Sequence, residues 1–441
     1  MPDPRLPLVE PGSSLFIHHD LCLRPDPRRV ISRPFRPSVE PRDLNPIDRP
    51  RVNHIVDRIV ALSPEVVEVE LAGVLLGFEH RHPAFVELLD TRAAEMEVAL
   101  QPHPVLGVSR RRLVGAYFLN EYSFEAAALF NPSIVPHPDQ SDAPTGGLRF
   151  IMSVRGVGEG HISSLTFRSG TMTASGDLSL DPAARLARTP YVRGRTPMPQ
   201  GEEIDAVFGR DATLSERVIY PITEAQKNGI EDARFVAFDN DGVTTYFATY
   251  TAYSGLGIRS ELLETRDFQE FRLSPLNGTA ARNKGMALFP RKIGGKYAMI
   301  GRQDNENIHL SLSDNLYSWD DGQILLRPEY PWEFVQLGNC GAPIDLGDRW
   351  LLLTHGVGAM RTYTIGAALL DKDDPCKVIA RSKAPLIQSL GAEREGYVPN
   401  VVYSCGAMRH GKWLVLPYGV SDLYIRFLTV EIDALVATLM A

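Results

Sequence analysis

Hydrophobic and polar residues follow two different periods along this chain. Between about 47 and 100 the period is helical: Val52, Ile55, Val56, Ile59, Val60 and Leu62 recur on one face. Ser63-Pro64-Glu65-Val66 predicts a helix start, with serine as N-cap, proline in the first turn and an acid beside it. The apolar run VVEVELAGVLLGF follows, the pattern breaks at His82-Pro83, and a further helix is predicted over Ala84–Leu100, ending before Pro102. From about 121 onward the pattern changes to short apolar runs separated by turn signals. Five of these runs share one form: a turn glycine, about seven strand-like residues, then a polar side chain. They are Gly147-LRFIMSV-Arg155, Gly242-VTTYFAT-Tyr250, Gly295-KYAMIG-Arg302, Gly347-DRWLLLT-His355 and Gly411-KWLVLP-Tyr418.

The later glycines lie 53, 52 and 64 residues apart, and the first gap of 95 is long enough to hold an insertion. A hairpin recurring at this spacing predicts a radial β-architecture, in which each small sheet needs neighbours to bury its faces. The expected fold class is therefore an all-β five-bladed β-propeller with an additional N-terminal helical region. The expected domains are an N-terminal arm and helical region over 1–120 and the propeller over 121–441. Residues 1 to about 40, rich in Pro and Arg, read as an extended arm. Asn240-Asp241-Gly242 is a strong hairpin turn. Ser313–Trp319 reads as a strand-to-turn corner with the tryptophan packed between blades, and Arg266–Phe271 as a poorer copy. If each repeated run is an inner strand, Arg155, Tyr250, Arg302, His355 and Tyr418 converge on one channel mouth, a site for a polar, anionic ligand.

Composition narrows the function. Hydrophobic content of 44% and charged content of 23% are those of an ordinary globular protein. A formal charge of −8 gives no reason to expect nucleic acid or an anionic membrane as partner. The run Arg110-Arg111-Arg112 reads as a solvated face or a set of local ion pairs. MPDPRLPLVEPGSS lacks the layout of a secretory signal, and no apolar run is long enough to span a membrane. Cys22, Cys340, Cys376 and Cys405 are scattered without metal-ligand spacing, so free thiols in a reducing cytoplasm and no metal site are expected.

The candidate proton donor lies in Gly229-Ile230-Glu231-Asp232-Ala233-Arg234, just before an apolar strand. Adjacent carboxylates repel when both ionise, so one pKa is expected to rise, while Arg234 holds the other ionised. This segment resembles the G-x-E-D-P-R motif of glycoside hydrolase family 130, with Ala233 in place of proline. The resemblance continues in order. Asn283-Lys284-Gly285-Met286-Ala287-Leu288-Phe289-Pro290 with GGKYAMIGR, Thr354-His355-Gly356-Val357, Ile365–Asp371, Gly396–Val402 and Tyr418–Asp422 are similar to successive family motifs. Leu129–Ser133 and Arg155 resemble its first blade.

The resemblance implies an inverting glycoside phosphorylase acting on β-mannosides, converting β-mannosyl-sugar and inorganic phosphate into α-mannose 1-phosphate and sugar. Asp232 matches the single family acid, whose proton passes through a sugar hydroxyl. Lys284, Arg302, His355 and Tyr363 match phosphate-holding positions, with Arg361 as an alternative to Tyr363. Asn131, Arg155, Glu231 and Asp422 match positions around the mannosyl unit. Phosphate is a co-substrate, and neither metal nor organic cofactor is implied. Partners are an oligosaccharide, phosphate and further copies of the chain. An inverting β-mannosidase is the alternative, with Asp304 and Glu306 as candidate water-activating carboxylates; a non-catalytic sugar-binding propeller is the third reading. Trp350 and Trp413 read as core, and Asp371, Asp373 and Asp374 as a solvated loop.

Overall fold

A computed structural model describes residues 15–37, 51–99 and 105–441. The stretch up to Ser14 and the predicted Leu100 helix end lie outside these residues. The chain divides into two compact units. One runs to Pro27 and continues over Phe124–Ala184 and Thr189–Ala441; the other is Arg28–Ser123 with Arg185–Arg188.

The smaller unit is helical: α1 (Arg51–Val60), α2 (Pro64–Phe78), α3 (Phe85–Ala99) and α4 (Val108–Tyr117). Ser63 caps α2 as expected, its hydroxyl accepting from Val66 N at 3.4 Å. Val56, Ile59, Val67, Met96, Leu113, Val114 and Phe118 form the core. α4 was not legible in the sequence, because its ten residues carry three consecutive arginines and only a short apolar face. Those arginines tie the helices together. Arg110 reaches the Leu62 carbonyl at 2.8 Å, Arg111 forks onto Glu97 at 2.7 and 3.1 Å, and Arg112 forks onto Asp90 at 2.9 and 3.0 Å. Gly115 lets α4 touch α3, since a Cβ there would lie 2.2 Å from the Leu89 carbonyl oxygen. A short ribbon pairs Ile31–Pro34 with Leu119–Tyr122.

The larger unit is all-β apart from short 3-10 turns and one C-terminal helix, α5 (Ile432–Met440). Its strands fall into four sheets, the largest of eleven strands; counting as two the antiparallel groups that one parallel pairing joins within that sheet, there are five groups, and each repeated glycine run supplies a strand to a different one. The first group is built on Ala128–Pro136, Leu148–Val157 and Ser163–Met172. The second holds Gly229–Asn240, Val243–Tyr253, Ile258–Thr265 and Glu270–Pro275, and touches the first through one parallel pairing of Gly229 with Ser163. The third runs from Ala287–Leu288 to Gln323–Leu326, and the fourth from Gln336–Asn339 to Val378–Arg381. The fifth contains Val402–Tyr403, Met408–His410, Trp413–Val420 and Tyr424–Glu431. The long first gap does hold an insertion: the hairpin Tyr191–Met198 and Gly201–Val207 lies against the outer strand Glu270–Pro275. The strand Phe16–Leu23 pairs with Tyr424–Glu431, so an early segment of the chain completes the last sheet.

Sheet faces are buried between neighbouring groups. Phe167, Phe235, Phe268, Phe271 and Tyr246 pack as one aromatic cluster from the first two groups, with ring centroids 4.9–6.4 Å apart. Phe268 lies within the poorer corner Arg266–Phe271, and Trp319 of the better corner is equally buried, packed on residues of the second and third groups. Burying a ring of this size is worth roughly 1.5–3 kcal/mol, and deleting it also leaves a cavity. Phe268→Ala should therefore destabilise the sheet unit by about 3–5 kcal/mol. Chemical denaturation followed by far-UV circular dichroism measures this as a lowered midpoint.

Candidate active site

Three strand irregularities aim three polar side chains at one place. In Ala128–Pro136 the pairing slips between Phe130 and Ser133, and Asn131 in the slip has φ 49°. In Gly229–Asn240 it slips between Glu231 and Arg234, and Asp232 has φ 55°. Asp422, in the turn after Trp413–Val420, has φ 48°. Left-handed backbone is costly for most L-residues but tolerated by Asn and Asp. A bulge turns its side chain off the normal alternation of the strand. The first two bulges are fastened together, because Ser133 Oγ accepts from Phe235 N at 2.9 Å. Strain concentrated in this way is characteristic of functional sites.

The result is a polar cavity of about 270 Å³. All nine residues that the family resemblance implied for the site line it: Asn131, Arg155, Glu231, Asp232, Lys284, Arg302, His355, Tyr363 and Asp422. So do Arg361, Arg234, which the sequence offered only as a charge partner for the neighbouring acids, and Tyr403, whose place was not anticipated. Five cations thus face three carboxylates.

On one side Arg155 organises the acids. Its Nη1 donates to Asp232 Oδ1 at 2.9 Å, Nη2 to Glu231 Oε1 at 2.7 Å and Nε to Ser163 Oγ at 2.9 Å. Asn131 Nδ2 also donates to Asp232 Oδ1, at 2.6 Å. Asn131 Oδ1 is buried without a hydrogen-bond partner, an acceptor available to a ligand hydroxyl.

On the other side lie Lys284, Arg302, His355, Arg361 and Tyr363. His355 Nδ1 donates to the Asn339 carbonyl at 3.2 Å, leaving Nε2 as acceptor 3.4 Å from Arg302 Nη1. Gly338 makes room for this ring, since a Cβ there would lie 2.2 Å from its Cε1. The His355 and Tyr363 rings stack at 5.9 Å, and Arg361 covers Tyr363 at 5.7 Å. Arg234 is buried beneath, donating to Asn339 O at 2.7 Å, Asn339 Oδ1 at 2.6 Å and Tyr403 Oη at 2.6 Å. Arg234 lies inside GIEDAR and Tyr403 directly follows the Gly396–Val402 motif, but nothing in the sequence showed that they meet.

Electrostatics reverse one expectation. Burial pushes Asp232 up, but Arg155, Lys284, the Asn131 hydrogen bond and Arg234 together outweigh it and hold the carboxyl at about 2. The raised carboxyl is instead Asp422: burial dominates, Asp232 and Glu231 add repulsion, and it stands at about 7 despite Arg155 and Arg361. Burial, then Arg302 and Arg234, push the His355 imidazole well below its usual range, so it is neutral.

Two residues expected at the convergence point are elsewhere. Tyr250 is buried in the core of the first two groups, its hydroxyl donating to Glu261 at 2.6 Å, and Tyr418 packs in the core between the fourth and fifth groups. Alternation sends their side chains to a sheet face instead of the cavity. Asp304 and Glu306 are also outside it. Asp304 closes its own loop, accepting from Glu306 N at 3.0 Å, Asn307 N at 2.8 Å and Asn307 Nδ2 at 2.7 Å.

The sequence profile of a family described as beta-1,4-mannooligosaccharide phosphorylase matches residues 209–440, more than half of the chain. The chain belongs to glycoside hydrolase family 130. Among relatives in this family, a 1,2-beta-oligomannan phosphorylase of Thermoanaerobacter sp. (strain X514) is 36% identical over 220 residues, covering 48% of this chain and 71% of the relative. A beta-1,2-mannobiose phosphorylase of Listeria innocua is 36% identical over 224 residues, covering 48% of this chain and 61% of the relative. The solved structure of the beta-1,2-mannobiose phosphorylase from Listeria innocua, in complex with beta-1,2-mannobiose, superposes with a TM-score of 0.50 at 26% identity. That superposition covers 71% of this chain and 92% of the other. The family profile begins after Asn131 and Arg155, so their place in this family 130 site rests on the geometry described above.

A carboxyl raised to about 7 has a definite effect on stability. Its contribution is full below the unfolded-state value near 4 and is lost as pH rises towards 7. Asp422→Asn should therefore gain melting temperature relative to the parent as pH rises from about 4 to about 8. Differential scanning fluorimetry across that range measures the difference, and a constant offset would contradict the assignment.

Proposed function

We propose that this chain is an inverting phosphorylase of β-mannosides. The observation that carries this reading is the cavity itself: a cluster of cations and phenols beside one carboxylate that is gripped by Asn131 and Arg155. Arg302, Lys284 and Arg361 supply charge for a phosphate. Neutral His355 presents a lone pair at Nε2, which suits a phosphate that carries a proton. Asn131, Arg155, Glu231 and Asp422 hold the mannosyl ring, and the unpaired Asn131 oxygen accepts from one of its hydroxyls.

In this reading a phosphate oxygen forms the new bond to the anomeric carbon as the bond to the leaving oxygen breaks. The leaving oxygen takes a proton relayed from Asp232 through a sugar hydroxyl, giving α-mannose 1-phosphate and the shortened sugar. Phosphate is the nucleophile, so one protein acid suffices and no further cofactor is required. Lys284, one of the cations that hold Asp232 near 2, is also one that a bound phosphate neutralises. Phosphate entry thus raises the carboxyl towards a donating range and couples the proton to the nucleophile.

The relatives named above are phosphorylases of β-1,2-linked mannosides, whereas the family profile carries a β-1,4 description. The β-mannoside class is common to both, and we assign the class and not the linkage. We further read the five antiparallel groups as blades of a propeller occupying 121–441, closed by the Phe16–Leu23 strand, with the preceding helices as a separate element of 1–120. No helix among the described residues is long and apolar enough to cross a membrane. A cytoplasmic homo-oligomer fits this reading.

The test follows phosphate release from α-mannose 1-phosphate with mannose, glucose, N-acetylglucosamine or short mannans as acceptor. Release should depend on one acceptor and fall by about 10²–10⁴ in Asp232→Asn. In the phosphorolytic direction Arg302→Ala should raise KM for phosphate by about tenfold or more, with a smaller effect on KM for the mannoside. Hydrolysis of β-mannosides that ignores phosphate would overturn the proposal.

A further inference from the structure

Two hairpin tips in the sheet unit are copies of each other. Val157-Gly158-Glu159-Gly160-His161 joins Leu148–Val157 to Ser163–Met172, and Val357-Gly358-Ala359-Met360-Arg361 joins Arg349–Val357 to Tyr363–Asp371. Each is a 3-10 turn with two consecutive left-handed residues, Gly160 and His161 at φ 71° and 60°, Met360 and Arg361 at φ 54° and 55°. The correspondence includes the cavity residues: Arg155 stands to its tip as His355 stands to the other. The second tip delivers Arg361 to the cavity. The equivalent residue of the first tip is His161, which does not line the cavity.

His161 has a partner from a distant segment. Its Nδ1 is hydrogen-bonded to the Tyr397 hydroxyl, and the two rings lie 5.8 Å apart at 43°. Both residues are exposed, Tyr397 by 40%. Tyr397 belongs to a loop fixed at the site wall. Val398 N donates to Ser421 O at 2.9 Å, beside Asp422, and Val401 a few residues on lines the cavity. An exposed aromatic held in place by an imidazole on a strained tip has no core to fill. A tyrosine face presented next to a sugar site is a stacking surface for the apolar face of a pyranose.

The chemistry says which sugar would use it. In an inverting displacement the nucleophile and the leaving group sit on opposite sides of the anomeric carbon. Of the phosphate-side residues, Lys284 lies in the loop that leads into the third group of strands and Arg302 directly follows its strand Tyr297–Gly301. His161 and Tyr397 join the first group to the fifth, the seam that faces the third group across the cavity on the five-bladed reading. We propose that His161 and Tyr397 form a clamp for the leaving sugar, the acceptor in the reverse reaction, with Tyr397 stacking on its ring and His161 fixing the tyrosine. This rests on the phosphorylase reading given above.

The experiment measures both substrates separately in the synthetic direction, with α-mannose 1-phosphate as donor and mannose as acceptor. Tyr397→Ala should raise KM for mannose by about tenfold and leave KM for α-mannose 1-phosphate within about twofold. Tyr397→Phe, which keeps the ring and loses the hydroxyl, should fall between parent and Tyr397→Ala, as should His161→Ala. Unchanged acceptor KM in Tyr397→Ala overturns the clamp while leaving the phosphorylase reading intact. If the parent protein releases no phosphate with any acceptor, the phosphorylase reading fails first, and saturation-transfer NMR with β-1,2-mannobiose then decides the clamp. Saturation of the reducing-end ring that is lost in Tyr397→Ala supports it, and equal saturation in the two proteins overturns it.

Discussion

The guanidinium of Arg155 is the constraint on which the site depends. It lies between two carboxylates that are neighbours in sequence and satisfies both at 2.7 and 2.9 Å. Without that bridge, Glu231 and Asp232 would repel one another where both side chains are largely shielded from solvent. Arg155 is itself placed by a strand of a different group, and Ser163 Oγ fixes its Nε. The proton inventory of the site follows from this contact. Asp232 is held ionised, and the charge it keeps is part of what forces Asp422 upwards. The two carboxylates are therefore set apart by their surroundings, one by the cations around it and the other by burial.

The backbone contributes as much as the charges. Regular strands alternate their side chains and cannot turn successive residues towards one point. The slips at Asn131 and Asp232 break that alternation where the cavity needs it. Asn and Asp meet two requirements together, since they tolerate left-handed backbone and carry the polar atoms the site uses. The cost of this local strain is borne by the surrounding sheets, whose aromatic and aliphatic faces are closely packed.

Much of this was readable in the chain. The glycine runs located a strand in each of five groups, and the long first gap marked the inserted hairpin. The ordered motifs named nine residues that do line one cavity. What could not be read was anything set by side-chain direction or by pairing across the fold. Tyr250 and Tyr418 sit at the same place in their repeats as Arg155 and His355, yet turn to buried faces. The direction of the carboxyl shifts was also hidden, because it depends on the charges of Arg155 and Lys284 being brought around Asp232 from distant parts of the chain. Arg234 and Tyr403 were in view as letters, but their contact spans 169 positions of sequence. The helix Val108–Tyr117 escaped notice because arginines that bind neighbouring helices look, in sequence, like arginines facing water.

The pairing of Phe16–Leu23 with Tyr424–Glu431 has a consequence for the order in which the molecule is assembled. During synthesis this strand waits for its partner while all of residues 24–423 between them are made. The helical unit is interposed between Pro27 and Phe124, so it is encoded within the span that this strand closes. Contacts between residues so far apart are the slowest to form. The last sheet, which carries Asp422 in the turn after Trp413–Val420, is thus the last to be completed, and its part of the cavity wall is framed only when those two strands have met.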